Sequence, residues 1–120
     1  MKDLGDVRYA PEVLRRYAAF RRDPNEAVRR LRLGAPIDAL RTDMTREDRR
    51  LARRADKALD LLGVRCLGRA VVVAEMLRAR GLAAGVVLAV NANDPKDAHA
   101  ECAVGRWQLR EMPARFRELT

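Results

Sequence analysis

The hydrophobic pattern of this chain changes period once, at Gly81, and that change restricts the folds open to it. Before Gly81, apolar residues recur at helical spacing. Thr45 to Leu62 carries Leu51, Ala55, Ala58, Leu59 and Leu62 on one stripe, and Cys66 to Arg80 carries Leu67, Ala70, Val71, Ala74 and Leu77. After it, Gly85 to Val90 (GVVLAV) is a short β-branched run, and Ala98 to Val104 (AHAECAV) and Arg106 to Glu111 (RWQLRE) alternate about Gly105 as a hairpin does. Helices first and strands last predict an α+β fold with a small antiparallel sheet.

Local signals set the boundaries. Pro11 to Arg22 places Val13, Leu14, Tyr17 and Phe20 on one helical face, and Pro24 can open a second helix whose Ala27, Val28 and Leu31 precede Gly34. Thr45 can cap the third helix, with Asp48 at the positive end of its dipole, and Gly63 and Gly81 each stand where a helix C-terminal glycine belongs. Val71, Val72 and Val73 favour strand locally, and Gly68 weakens the start of the fourth helix, but the longer period is helical. Ile37 to Leu40 is too short to classify, and Asn91 to Asp97 (NANDPKD) reads as a loop.

A chain of 120 residues is sized for one domain, here residues 1–120, with 1–62 a helical part and 63–120 a helix plus sheet. At 48% hydrophobic and 35% charged it is neither disordered nor low-complexity. No apolar run approaches the ~20 residues of a membrane span and the first residues lack the apolar centre of a secretion signal, so a cytoplasmic location with reduced Cys66 and Cys102 is expected. The net charge of +8 raises nucleic acid as a partner. Lys plus Arg against Asp plus Glu is 16 to 11 in residues 1–62 and 9 to 6 afterwards, with no basic tail, so nucleic acid is not expected. Arg49, Arg50, Arg53, Arg54 and Lys57 read as the solvated face of the third helix. One histidine, two distant cysteines and scattered glycines supply neither a zinc site nor a phosphate loop, so no metal or cofactor is expected.

His99, the only histidine, is the side chain suited to proton transfer near neutrality. Cys66 opens a helix just after Gly63-Val64-Arg65, where exposed N–H groups and the dipole favour a thiolate. A cysteine at a helix start facing a histidine on a strand is the layout of papain-like and transglutaminase-like enzymes.

Cys66-Leu67-Gly68-Arg69-Ala70, then Leu77-Arg78-Ala79-Arg80-Gly81-Leu82, the Gly85 strand, and His99-Ala100 with Gly105 beyond resemble the transglutaminase-like leader peptidases of lasso-peptide gene clusters over residues 60–112. The resemblance implies a cysteine protease with Cys66 as nucleophile and His99 as base, cutting a precursor peptide delivered by a separate leader-recognition protein before a cyclase closes the ring. Glu101 stands where that family usually has tryptophan. Its triad ends in an aspartate on the following strand, and Glu111 occupies the matching place here. Asp97 and Glu101, each two residues from His99 and on its strand face, are rival partners whose ordinary readings are a loop charge and a solvent-facing charge. Cys102, on the opposite face, reads as core, and Trp107 as hairpin packing or groove wall. Two other functions stay open: an acyl transferase in which an amine intercepts the thioester, and a non-catalytic arginine-rich binding module.

Overall fold

In the computed structural model, which describes residues 4–33, 40–91, 93–109 and 116–118, helices precede strands and the fold is α+β. Helix α1 (Leu4–Arg22) begins upstream of the predicted Pro11 and carries that proline in its interior, giving up one i→i−4 bond. It breaks at Asp23, whose Oδ1 accepts the Glu26 N–H at 3.1 Å, and Pro24 opens α2 (Pro24–Leu33). Gly34 and most of Ile37 to Leu40 lie outside the described residues.

Helix α3 (Arg46–Leu61) starts with a full capping box: Thr45 Oγ1 accepts the Asp48 N–H at 3.1 Å and Asp48 Oδ2 accepts the Thr45 N–H at 3.0 Å. Gly63, at φ +78°, ends it. There the Gly63 N–H reaches the Asp60 carbonyl and the Val64 N–H reaches the Leu59 carbonyl, both at 3.0 Å.

Helix α4 (Cys66–Arg78) is the hub, packed against α1, α2, α3 and the sheet, with Ala70 to Ala74, Met76 and Leu77 all buried. A helix covered on every side is apolar all round, and this burial overrides the local strand preference of Val71 to Val73. Gly68 has a packing reason: a Cβ there would lie 2.9 Å from Val64 Cγ1 and 3.2 Å from Phe20 Cε2, so its absence lets α1 and the α3–α4 turn close on the first turn.

The strands β1 (Ala84–Asn91), β2 (Asp94–Val104), β3 (Trp107–Gln108) and β4 (Phe116–Glu118) form an antiparallel sheet in the order β3-β2-β1-β4. The expected loop over Asn91 to Asp97 is mostly strand. Register runs from Ala84↔Val104 to Val90↔Ala98, then shifts to Asn91↔Asp94, so the chain reverses between Asn91 and Asp94. The turn formers there specify a tight reversal, and Pro95 is tolerated in strand where no ladder N–H is required. Trp107 and Gln108 are the strand part of the predicted Arg106 to Glu111, and β4 was not anticipated. Ala84, Val86, Ala100, Cys102 and Val104 join the core with α4, whereas His99, Glu101 and Ala103 alternate onto the other face. No helix among the described residues is long and apolar enough to cross a membrane.

Candidate active site

Cys66 is the first residue of α4, half-buried at the edge of the core. Arg65 precedes it in extended conformation (φ −72°, ψ 164°) and supplies no side-chain cap, so this helix begins without the capping box that closes α3. The turn is held from behind. Arg69 Nε donates to Asp56 Oδ1 at 3.1 Å, and its NH1 donates to Asp60 Oδ1 and to the Val64 carbonyl, each at 3.0 Å. One guanidinium thereby ties the end of α3, the connecting turn and the start of α4 together. A fork of fixed geometry suits this task.

His99 lies on β2 opposite Ala89 of β1, half-buried, and its Nε2 is 3.4 Å from Glu101 Oε2. The other carboxylate oxygen, Oε1, accepts the Cys102 N–H at 3.1 Å. Burial pushes the Glu101 carboxyl above the usual carboxylate range; the Cys102 N–H and His99 pull it down, and the nearby Asp56 carboxylate adds to the rise. The expectation of a solvent-facing charge is therefore wrong for Glu101, which is only 3% exposed. Alternation alone places it on the face of His99, but that this face is covered there, as buried Ala89 also shows, follows from tertiary packing. Cys102 sits on the other face, wholly buried in the core, and burial pushes its thiol far up.

The register of α4 against the sheet is pinned at one end. Arg78 Nε donates to the Ala84 carbonyl at 2.7 Å, which pins the end of α4 to the start of β1, opposite Val104. From Arg78 back to Cys66 the helix rises ~18 Å, and from Val104 back to His99 strand β2 runs ~17 Å. At His99 β2 lies beside an open edge, since among the described residues β3 pairs only with Ala103 and Val104.

Of the sequence-predicted acids, Glu101 is in contact with His99. Glu111 lies outside the described residues, and Asp97 is placed only as backbone within β2. Trp107 is half-buried against the core. Asp56 and Asp60 were not singled out from sequence. The signal was present in part: Asp56 falls between Ala52 and Leu59 on the apolar stripe of α3, where an acid needs a buried partner. Among the described residues no group of three or more His, Cys, Asp or Glu could hold a metal ion.

The model of the Transglutaminase-like superfamily matches residues 7–118 of the chain. No curated protein and no solved structure matches it.

Proposed function

The chain belongs to the transglutaminase-like superfamily, and from that premise we propose that it is a cysteine peptidase removing the leader from a ribosomally made lasso-peptide precursor. Membership supports thiol chemistry of the peptidase or acyl-transfer kind. The observation that carries the site assignment is the His99–Glu101 pair on the strand packed against the Cys66 helix.

With Nε2–H given to Glu101, the other ring nitrogen of His99, Nδ1, is the base that takes the Cys66 proton. The thiolate sulfur adds to the scissile carbonyl carbon, and N–H groups of the uncapped α4 start face the developing oxyanion, the Cys66 N–H being the candidate donor. The C–N bond breaks as the imidazolium protonates the leaving amine. Water, deprotonated by His99, then attacks the thioester and releases the carboxylic acid and the thiol. We assign orientation of the imidazole to Glu101 ahead of Glu111 because its carboxylate already touches the ring. A separate leader-recognition protein delivers the precursor and a cyclase follows, in the cytoplasm. Interception of the same thioester by an amine gives acyl transfer, which product masses with and without added amine distinguish.

The first test is site-mapped alkylation at pH ~6 by mass spectrometry, with Cys102 as internal control. Cys66 is expected to react while Cys102 does not, and His99→Ala is expected to slow Cys66 by about a hundredfold, at the low end of what a general base contributes. Equal reactivity of Cys66 in both proteins would remove the dyad and with it the peptidase.

A further inference from the structure

Arg46, Arg50, Arg53 and Lys57 recur at intervals of four, three and four along α3, so they stand on one outward line of the helix, and all four are exposed. None of them enters an ion pair among the described residues. Several cations elsewhere are paired: Arg16 and Arg80 bind Glu12, Arg29 binds Glu26, and Arg69 binds Asp56 and Asp60. Arg15, Arg21 and Arg22 of α1 are exposed without an ion pair among the described residues, but the four cations of α3 stand on one line. Beside it, Arg46, Arg49, Arg50, Arg53 and Arg54 bound an open groove of about 410 Å³.

The same line continues one turn further to Leu61, which is 80% exposed, with Leu62 beside it at 58%. Two leucines turned to solvent at the end of a cationic row are a second feature of the same surface, and they immediately precede the Gly63 turn that leads into Cys66. We propose that the outward face of α3 is a docking ridge for a peptide segment carrying acidic residues followed by apolar ones, the carboxylates meeting the arginines and the apolar side chains covering Leu61 and Leu62. From Arg46 to Lys57 the row spans ~16 Å, the length of about five extended residues. Guanidinium forks suit carboxylates. A nucleic acid is the poorer guest, because the row is short and single and α3 contains no aromatic residue on which a base could stack.

The ridge ends beside the nucleophile, so its guest is the substrate or the segment that carries it. This last step rests on the peptidase reading, whereas the docking itself does not. Binding is measured by fluorescence anisotropy on the full chain bearing Cys66→Ala, at low salt, with a labelled peptide of glutamates followed by leucines. The peptide with glutamines for glutamates, the peptide with serines for leucines and a single-stranded oligonucleotide of equal charge are the comparators. Arg50→Glu/Arg53→Glu is expected to weaken the first peptide by about tenfold, as befits loss of charge complementarity. Arg15→Glu/Arg106→Glu, which makes the same net-charge change at exposed sites elsewhere, is expected to leave it within about twofold. Both peptide comparators, one lacking carboxylates and the other lacking leucines, are expected to bind more weakly. Equal weakening by the two double reversals, tighter binding of the oligonucleotide, or no peptide binding at all would overturn the ridge. Alkylation of Cys66 in the Arg50→Glu/Arg53→Glu protein with Cys66 restored separates the two readings: an inert Cys66 with ridge-dependent binding sinks the peptidase and leaves the ridge, and a reactive Cys66 with ridge-independent binding does the reverse.

Discussion

Helices α3 and α4 end alike and begin in opposite ways. Each closes on a glycine at positive φ, with N–H groups folded back on the last turn: Gly63 and Val64 for α3, Gly81 and Leu82 for α4, the last at 3.1 Å from the Leu77 carbonyl. At their starts α3 has both halves of a capping box, while α4 has Arg65 and no side-chain cap. Their sides differ as well. Helix α3 buries one stripe and turns arginines outward, whereas α4 is buried nearly all round. The two are held differently: α3 closes its own start through side chains three residues apart and buries one stripe, whereas α4 depends on packing on nearly every side and its first turn has no side-chain cap.

The largest expected effect breaks the comparison at the sides of the two helices. Leu77→Ala empties a fully buried position of α4 and should cost ~2–5 kcal/mol, while Leu61→Ala on α3 should stay within ~0.5 kcal/mol, both read from urea unfolding midpoints. Comparable losses would mean that α4 is not the hub.

A smaller effect sharpens the comparison at the open start. In an isolated helix Gly68→Ala gains ~1 kcal/mol, but the new methyl meets Val64 Cγ1 at 2.9 Å, and overpacking costs ~1–3 kcal/mol. The expected outcome is a net loss of about 1 kcal/mol, with slower Cys66 alkylation as the first turn is displaced. A gain in stability would show that this turn is not packed as described.

The smallest concerns charge within α4. Burial raises the Glu75 carboxyl, against the pull of Arg30 and Arg16, and its Oε1 has no hydrogen-bond partner among the described residues. A raised value in the folded state means the native protein holds this proton more tightly than the unfolded chain. Ionised Glu75 therefore costs stability above the raised value, and the cost fades as pH falls through it toward the ordinary ~4.3. Glu75→Gln should stabilise by ~1 kcal/mol at pH ~7 and by almost nothing near pH ~4, whereas Glu47→Gln on the exposed side of α3 should do neither. A Glu75→Gln gain that persisted unchanged into acid would show that charge burial is not its cause.

Much of the fold was legible because the signals were local. Thr45 and Asp48 specify their cap through atoms three residues apart, and Gly63 and Gly81 specify their turns through their own φ. Where the signal was local but ambiguous, the reading failed: Asn91 to Asp97 looked like a loop because its turn formers are spread over seven residues, yet Asn91 ends β1 and Asp94 to Asp97 belong to β2. The candidate site was legible in part. Chain position offers Cys66 and His99 as candidates, but the acid beside the imidazole could not be chosen among Asp97, Glu101 and Glu111 from spacing alone. Asp56 escaped notice because its meaning depends on Arg69, thirteen residues away on another helix.

The sequence by itself determined where α2, α3 and α4 begin and where α3 ends, which residues share a face, and that a cysteine at a helix start and a histidine on a strand are the reactive candidates. Those properties depend on φ, on hydrogen bonds within a turn and on a fixed periodicity. Only the tertiary structure decided that Glu101 is buried against His99, that Arg69 staples Asp56 and Asp60 behind Cys66, and that Arg46, Arg50, Arg53 and Lys57 enter no ion pair among the described residues. Burial and charge pairing are set by distances between elements remote in the chain, and no local spacing encodes which face another element will cover.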